Sequence, residues 1–342
     1  MKNENLARLI VLLFIIIAVA IPFSGRWLNS RSQESVIELH ANMPENGGWS
    51  VETIHAQAGQ PIRLHITSDD VVHGFAIGKS EVPALEIKPG EYTVTVLKFD
   101  LPGKYIFYCN RWCGPNHWRM RGTIEIEGDK DPIPAAPKPL FLQLGIDLDS
   151  PEVAEVVPTN KAAAELGAKL KDILPVYASE SDTYLTNSPA KLWLRFRADP
   201  ALSKISDNDL WNAVAWTWQQ QTSPQALKIG FDLYSTTCAA CHSETGQGNG
   251  VMVRDLPTWD PSIHKTNETP HQLTGEGLFS PPDFTDPKIL LGVSPALLEG
   301  KIIRGGMGTG MPYWGSIFTT DQIKALVSYL YGFAWGDIGG EE

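Results

Sequence analysis

Cysteine is scarce in this chain, with four among 342 residues, and they stand in two close pairs, Cys109 with Cys113 and Cys238 with Cys241. That arrangement excludes a disulfide framework as the main support of the fold. Each pair has a histidine at or soon after it, His117 and His242, and so reads as a metal or cofactor site. Positive charge is also short: 28 Lys and Arg face 39 Asp and Glu, a formal net charge of −11. A nucleic acid partner is argued against, because its phosphates need basic contacts. The deficit lies almost wholly in residues 131–342, with 15 basic against 25 acidic side chains, while residues 1–130 carry 13 against 14. A basic protein partner is compatible with that C-terminal part. Long apolar runs are limited to Leu9–Phe23, which excludes a polytopic membrane protein, and 43% hydrophobic with 20% charged residues excludes wholesale disorder.

What is present suggests several domains, since a chain of this length exceeds the usual roughly 100–200 residues of one. The run LIVLLFIIIAVAIPF at 9–23, with Lys2 and Arg8 before it and Trp27 and Leu28 after it, is long enough with its flanks for one tilted membrane helix. The alternative is a cleaved signal peptide, for which Ala18-Val19-Ala20 has the small-x-small form. Either reading sends everything after about residue 30 across the cytoplasmic membrane, with Lys2 and Arg8 left inside.

From Val36 to Gly128 strand and turn alternate: strands are expected at 37–41, 61–68, 92–99, 104–109 and 122–127, with turns at Pro89-Gly90 and Pro102-Gly103. This pattern predicts a small all-β sandwich over 31–130. DPIPAAPKPL at 131–140 holds four prolines and opens a stiff linker, 131–160. Beyond it the pattern is all-α. Leu210, Trp211, Val214, Ala215 and Trp218 form a helical stripe opened by a Ser206/Asp209 capping box, and Ile323, Leu326, Val327, Leu330 and Tyr331 form another. The expected architecture is therefore a membrane helix or signal (1–30), the sandwich, the linker, a helical segment (161–225) and a helical domain (226–342).

The loop CNRWCGPNHWRM sets Cys109, Cys113, His117 and Met120 between two strands. Thiolate, imidazole and thioether are soft ligands that favour copper over calcium or magnesium. A mononuclear blue-copper site would need one cysteine here; two can bridge a pair of copper ions, each capped by a histidine. His73, in SDDVVHGFAI, is the candidate for the second histidine. A structural zinc site on Cys109, Cys113, His117 and His73 satisfies the ligand count but leaves Met120 without a role.

With DVVHGF, KYIFYC, CGPNH-x2-M and the GTI strand in place, residues 36–128 resemble the CuA cupredoxin domain of subunit II of haem-copper oxidases, and the single apolar segment resembles the B-family (ba-type) form. The resemblance implies a binuclear copper centre held by His73, Cys109, Cys113, His117, Met120 and the backbone carbonyl of Arg111. Many members have Glu where Arg111 stands, and that Glu also reaches a magnesium ion at the subunit interface; with Arg111 such a contact is not expected.

Cys238-Ala-Ala-Cys241-His242 has the C-x-x-C-H form that attaches a c-type haem: two thiols add across the haem vinyls and the histidine becomes an axial ligand. Gly230 and Tyr234 lie in the preceding helix, a Gly-rich turn follows, and Gly310-Met311-Pro312-Tyr313-Trp314 precedes a final amphipathic helix. Residues 226–336 thereby resemble a class I cytochrome c, which implies thioether bonds at Cys238 and Cys241 with His242 and Met311 as axial ligands. Met307 is the rival to Met311, which is preferred for the proline that follows it. Met ligation raises the haem potential, suiting a carrier that feeds an oxidant. His40, His55, His65, His264 and His271 show no partner pattern and are expected to be ordinary surface or strand residues.

Residues 161–220 faintly echo the domain after them. Leu166-Gly167 aligns with Ile229-Gly230, which places Pro175, Ala178 and Ser179 where Cys238, Cys241 and His242 stand; Trp216 and Trp218 align with Tyr329 and Tyr331. A shortened, haem-less cytochrome-like unit is one reading, a helical linker with fortuitous matches the other, and neither binds haem.

Two one-electron centres on one anchored chain, without proton-channel helices, imply an electron-transfer subunit of a respiratory cytochrome c oxidase. An external donor, such as a basic soluble cytochrome or copper protein, would reduce the haem; electrons would pass to the copper pair and then to a polytopic haem-copper subunit where oxygen is reduced. The alternatives are the matching subunit of a CuA-type nitric oxide reductase and a free-standing electron carrier.

Overall fold

The computed structural model describes residues 36–114, 116–129, 131, 137–150, 152–253, 280–306 and 311–335. The apolar run 9–23, part of the Pro-rich stretch, His264, His271 and Met307 lie outside the described residues. Among the described residues no helix is long and apolar enough to cross a membrane.

The first part is a two-sheet sandwich. Strands β1 (Val36–Ala41), β3 (Pro61–Ser68) and β6 (Thr93–Lys98) form one sheet in the order β1-β3-β6; β2 (Thr53–Gln57), β4 (His73–Ile77), β5 (Leu85–Ile87), β7 (Gly103–Tyr108) and β8 (Arg121–Glu127) form the other in the order β2-β8-β7-β4-β5. β1 runs parallel to β3 and β2 parallel to β8, while the remaining pairs are antiparallel. Period-two patterning explains which faces meet: Ile62, Leu64 and Ile66 of β3 and Ile124 and Ile126 of β8 are all buried between the sheets. At the centre Trp49, Phe75 and Phe107 pack with ring centroids 5.5–5.8 Å apart. Each such side chain contributes about 1.5–3 kcal/mol by leaving water.

All five strands expected from the sequence are present, and β2, β4 and β5 are additional. β4 is buried at all five positions, so its side chains show no in-out alternation; β5 has only three residues.

The second part is helical. Its main elements are α1 (Leu140–Leu144), α2 (Ala164–Gly167), α3 (Ser181–Thr186), α4 (Pro189–Ala198), α5 (Asp207–Gln219), α6 (Pro224–Leu233), α7 (Ala239–His242), α8 (Pro287–Leu290), α9 (Pro295–Arg304) and α10 (Thr320–Trp335). α5 starts where the capping box places it: the Ser206 hydroxyl accepts from the Asp209 amide at 3.1 Å. α10 opens the same way, with Gln322 N–H donating to Thr319 Oγ1 at 3.2 Å and Thr319 N–H donating to the Gln322 side chain at 2.8 Å.

Two helix crossings repeat one device. A Cβ on Gly230 of α6 would meet the Ala325 carbonyl oxygen of α10 at 2.4 Å, and a Cβ on Gly167 of α2 would meet the Asn212 carbonyl oxygen of α5 at 2.0 Å. Ala325 and Asn212 each stand six residues past the capping hydroxyl of their helix. Both glycines are therefore set by close backbone approach. The two crossings share one hydrophobic core, in which Trp211 and Trp218 of α5 lie beside Trp335 and Tyr331 of α10, with centroids 6.5 and 5.9 Å apart.

Candidate metal and haem centres

β4 begins at His73, β7 ends at Tyr108 and β8 begins at Arg121, so the 109–120 loop is held at one end of the sandwich beside the start of β4. Its base is closed by the Cys109 amide donating to the Met120 carbonyl at 3.0 Å, and a short 3-10 turn, His117–Arg119, folds its far end inward. This closure brings the sequence-selected residues together. His73 Nδ1 is 3.9 Å from Cys109 Sγ, Cys109 Sγ is 3.9 Å from Cys113 Sγ, Cys113 Sγ is 3.4 Å from Met120 Sδ, and the Arg111 carbonyl oxygen is 3.1 Å from Cys109 Sγ. The ligand atoms of His73, Cys109 and Cys113 all lie within 4.8 Å of one another. His73, Cys109, Cys113, His117 and Met120 are buried, and His117 Nδ1 has no hydrogen-bond partner.

Electrostatics favour a thiolate. Its close Cys113 neighbour, with His117, His73 and the Gly74 amide, outweighs burial and lowers the Cys109 pKa, while sharing with Cys109 and burial push the Cys113 thiol up. Burial works against a charged His73, yet Cys109 and Asp70 raise it on balance. Two soft sulfur atoms, one of them favoured as a thiolate, an imidazole with an orphaned nitrogen, a thioether and a carbonyl in a dry cluster fit copper, and the thioether distinguishes this set from an ordinary zinc site.

The Arg111 side chain turns away from the cluster and pairs with Glu86, Nη2 to Oε2 at 2.6 Å. One participant escaped the sequence reading: Asp70, whose Oδ1 lies 2.8 Å from His73 Nε2. The acidic residue three before His73 was the available signal.

At the second site α6 continues through a π-type turn, Tyr234–Cys238, into α7, which carries Cys241 and His242. The Tyr234 hydroxyl donates to the Ser243 carbonyl at 2.7 Å and fixes the end of α7. Burial alone pulls His242 down to about 4, so the ring is neutral at pH 7, as an iron ligand must be, and burial pushes Cys238 up to about 12. The His242 ring stacks on Phe284 with centroids 4.8 Å apart, and its Nδ1 is buried without a partner. Cys238 and Met311 both pack against the helical core. The neutral, half-buried imidazole and the adjacent thiols fit a covalently attached haem. In the echo segment Ala178 is buried and Ser179 exposed, in place of Cys241 and His242.

The fold is a cupredoxin-like β-sandwich with a candidate metal cluster at one end, followed by a helical region that carries a C-x-x-C-H motif. Residues 52–127 match the family described as cytochrome c oxidase subunit II, periplasmic domain, and residues 225–330 match cytochrome c oxidase, cbb3-type, subunit III. The chain resembles oxidase subunit II fused to a cytochrome c. A cytochrome c oxidase subunit 2 of Thermus thermophilus is 36% identical over 80 residues, covering 23% of this chain and 58% of that protein. A cytochrome c oxidase subunit 2 of Artemia franciscana is 39% identical over 74 residues, covering 20% and 30%. The chain thus spans about a third to a little over half of the length of these curated relatives. Among solved structures, the periplasmic domain of cytochrome oxidase subunit II of Bradyrhizobium japonicum is 20% identical, with 28% of this chain and 84% of that chain covered and a TM-score of 0.23.

Proposed function

We propose that this chain is the electron-transfer subunit, subunit II, of a respiratory cytochrome c oxidase. The observation that carries the reading is the convergence of His73, Cys109, Cys113, His117, Met120 and the Arg111 carbonyl into one cluster whose side-chain ligands are buried, on a chain that also carries Cys238, Cys241 and a neutral, half-buried His242. When bound, a thiolate-bridged copper pair (CuA) and a haem c would each take up and release one electron.

In this reading Cys109, Cys113, His73, His117, Met120 and the Arg111 carbonyl would hold the copper. The rigid strands on either side keep ligand movement small, and burial keeps water out. Cys238 and Cys241 would attach the haem, and His242 and Met311 would bind its iron. The apolar segment 9–23 holds the chain in the cell membrane by a single pass, with both redox domains on the periplasmic side. A polytopic haem-copper subunit reduces oxygen, and an external donor reduces the haem. Residues 161–225 form a haem-less cytochrome-like unit, a reading supported by the matched glycine crossings at Gly167 and Gly230.

The test is purification of the chain from membranes with its partners. A mixed-valence copper signal, a c-type haem and oxygen consumption are expected together. Turnover of nitric oxide instead of oxygen, or absence of any polytopic haem protein, would overturn the reading.

A further inference from the structure

The two candidate redox sites meet across one side chain. At the copper end of β7 and β8 alternate residues face opposite ways: Phe107, Cys109 and Met120 belong to the sandwich core, whereas Ile106 and Tyr108 pack against the helical core. Arg121, which is paired with Tyr108 in the ladder, points to the same outer side. Its Nη1 donates to the Tyr313 carbonyl at 3.0 Å, and its guanidinium carbon lies 4.6 Å from the Tyr313 ring centroid and 5.3 Å from that of Trp314. Next to it the Lys79 amide donates to the Ile317 carbonyl at 2.7 Å, and a Cβ on Gly78 would come within 3.1 Å of Ile317 Cα. The segment 313–317 therefore lies edge-on against the copper domain.

Sequence position gives this contact its meaning. Arg121 directly follows Met120, and Tyr313 stands two residues after Met311. One hydrogen bond thus joins the backbone carrying one methionine ligand to the backbone carrying the other. Stacking on two rings favours the guanidinium there, while burial works against its charge.

We propose that Arg121 is the positioning residue that couples the two centres: it pins the Met311 segment to the start of β8 and sets the route for internal electron transfer. The proposal rests on the function proposed above. One electron leaves the ferrous haem and arrives at the oxidised copper pair; no proton moves, and Arg121 itself is neither oxidised nor reduced. Electron transfer falls off with the separation of its two centres, and the element that would fix that separation is here a defined contact rather than mere proximity.

The experiment uses the full chain in its purified complex, loaded with copper and haem. After rapid photoreduction of the haem, the rate of copper reduction is followed in wild type, Arg121→Gln and Arg121→Lys. Arg121→Gln should lower the rate of internal transfer, with unchanged copper and haem spectra, and Arg121→Lys, which keeps charge and a donor, should recover part of the rate. A wild-type rate in Arg121→Gln overturns the proposal. Should that variant not fold, hydrogen exchange of wild type decides: the Lys79 amide must be protected, and fast exchange there overturns the docking. Failure of the functional reading is separate, because it shows as wild type without copper or without haem.

Discussion

Asp70 Oδ1 lies 2.8 Å from Nε2 of the fully buried His73, while Nδ1 of the same ring faces the Cys109 sulfur at 3.9 Å. The carboxylate is itself held by the amides of Met43 and Val71, each at 2.6 Å. Burial works against its charge, but these donors and His73 prevail and bring its pKa to about 2. Asp70 thus orients the ring and fixes which nitrogen is free to bind metal. Asp70→Asn should weaken copper retention ~10–100-fold while leaving haem attachment unchanged. Competition with a copper chelator measures this, and equal retention would reject the role. Since the folded pKa lies below the ordinary carboxylate value of 3.8, the stability Asp70 provides is present above about pH 4 and lost as pH falls through about 2. The urea midpoints of wild type and Asp70→Asn, both metal-free, should therefore converge over that interval.

Cys109 and Cys113 sit 3.9 Å apart, and in the proposed function both would bridge the copper pair. Replacing either by Ser should abolish the mixed-valence copper signal and leave the haem spectrum intact, because one thiolate cannot hold two ions symmetrically. Electron paramagnetic resonance checks it. A mixed-valence signal surviving in Cys109→Ser or Cys113→Ser would show that the copper centre is built otherwise.

The candidate metal loop was legible in sequence because its chemistry is concentrated: five of its six contributors fall within twelve residues, and the sixth, His73, stands at the start of β4. Asp70 was harder to see, since an acidic residue before a histidine is ordinary until the fold turns it onto the ring. β4 escaped because all five of its residues are buried and leave no alternation to read. The docking of Arg121 on Tyr313 joins residues 192 apart in sequence, and no local pattern encodes such a contact. The echo between 161–220 and the cytochrome domain was faint in composition but is sharp in backbone terms at Gly167 and Gly230.

Those glycines give a stability prediction. In a helix Gly→Ala would ordinarily gain about 1 kcal/mol from propensity. Here the new Cβ meets a backbone carbonyl oxygen at 2.4 Å in Gly230→Ala and 2.0 Å in Gly167→Ala, and overpacking of this kind costs about 1–3 kcal/mol. Both variants should therefore lower the melting temperature. Gly230→Ala should also impair haem attachment, because α6 leads directly into the Cys238 turn, whereas Gly167→Ala should leave the haem spectrum unchanged. Thermal denaturation with haem staining separates the two effects. A neutral or stabilising Gly167→Ala would mean that the α2/α5 crossing is not a tight one.

The charge distribution bears on the external donor. Residues 131–342 carry 15 basic against 25 acidic side chains and residues 1–130 carry 13 against 14, so a basic soluble donor should be steered to the cytochrome end. Exposed charge of this kind acts mainly on encounter, and at about 0.15 M salt it is screened over roughly 8 Å. Haem reduction by a basic donor should accordingly slow steeply as ionic strength rises. Internal transfer should hardly respond, since Arg121 meets Tyr313 and Trp314 at the docked surface and Lys79 is bonded to Ile317 through backbone, contacts that do not depend on encounter. Stopped-flow reduction across a salt series reads both phases. A flat dependence for every basic donor would assign the acidic side chains to solubility alone, and a salt-sensitive internal phase would show that the two domains separate between turnovers.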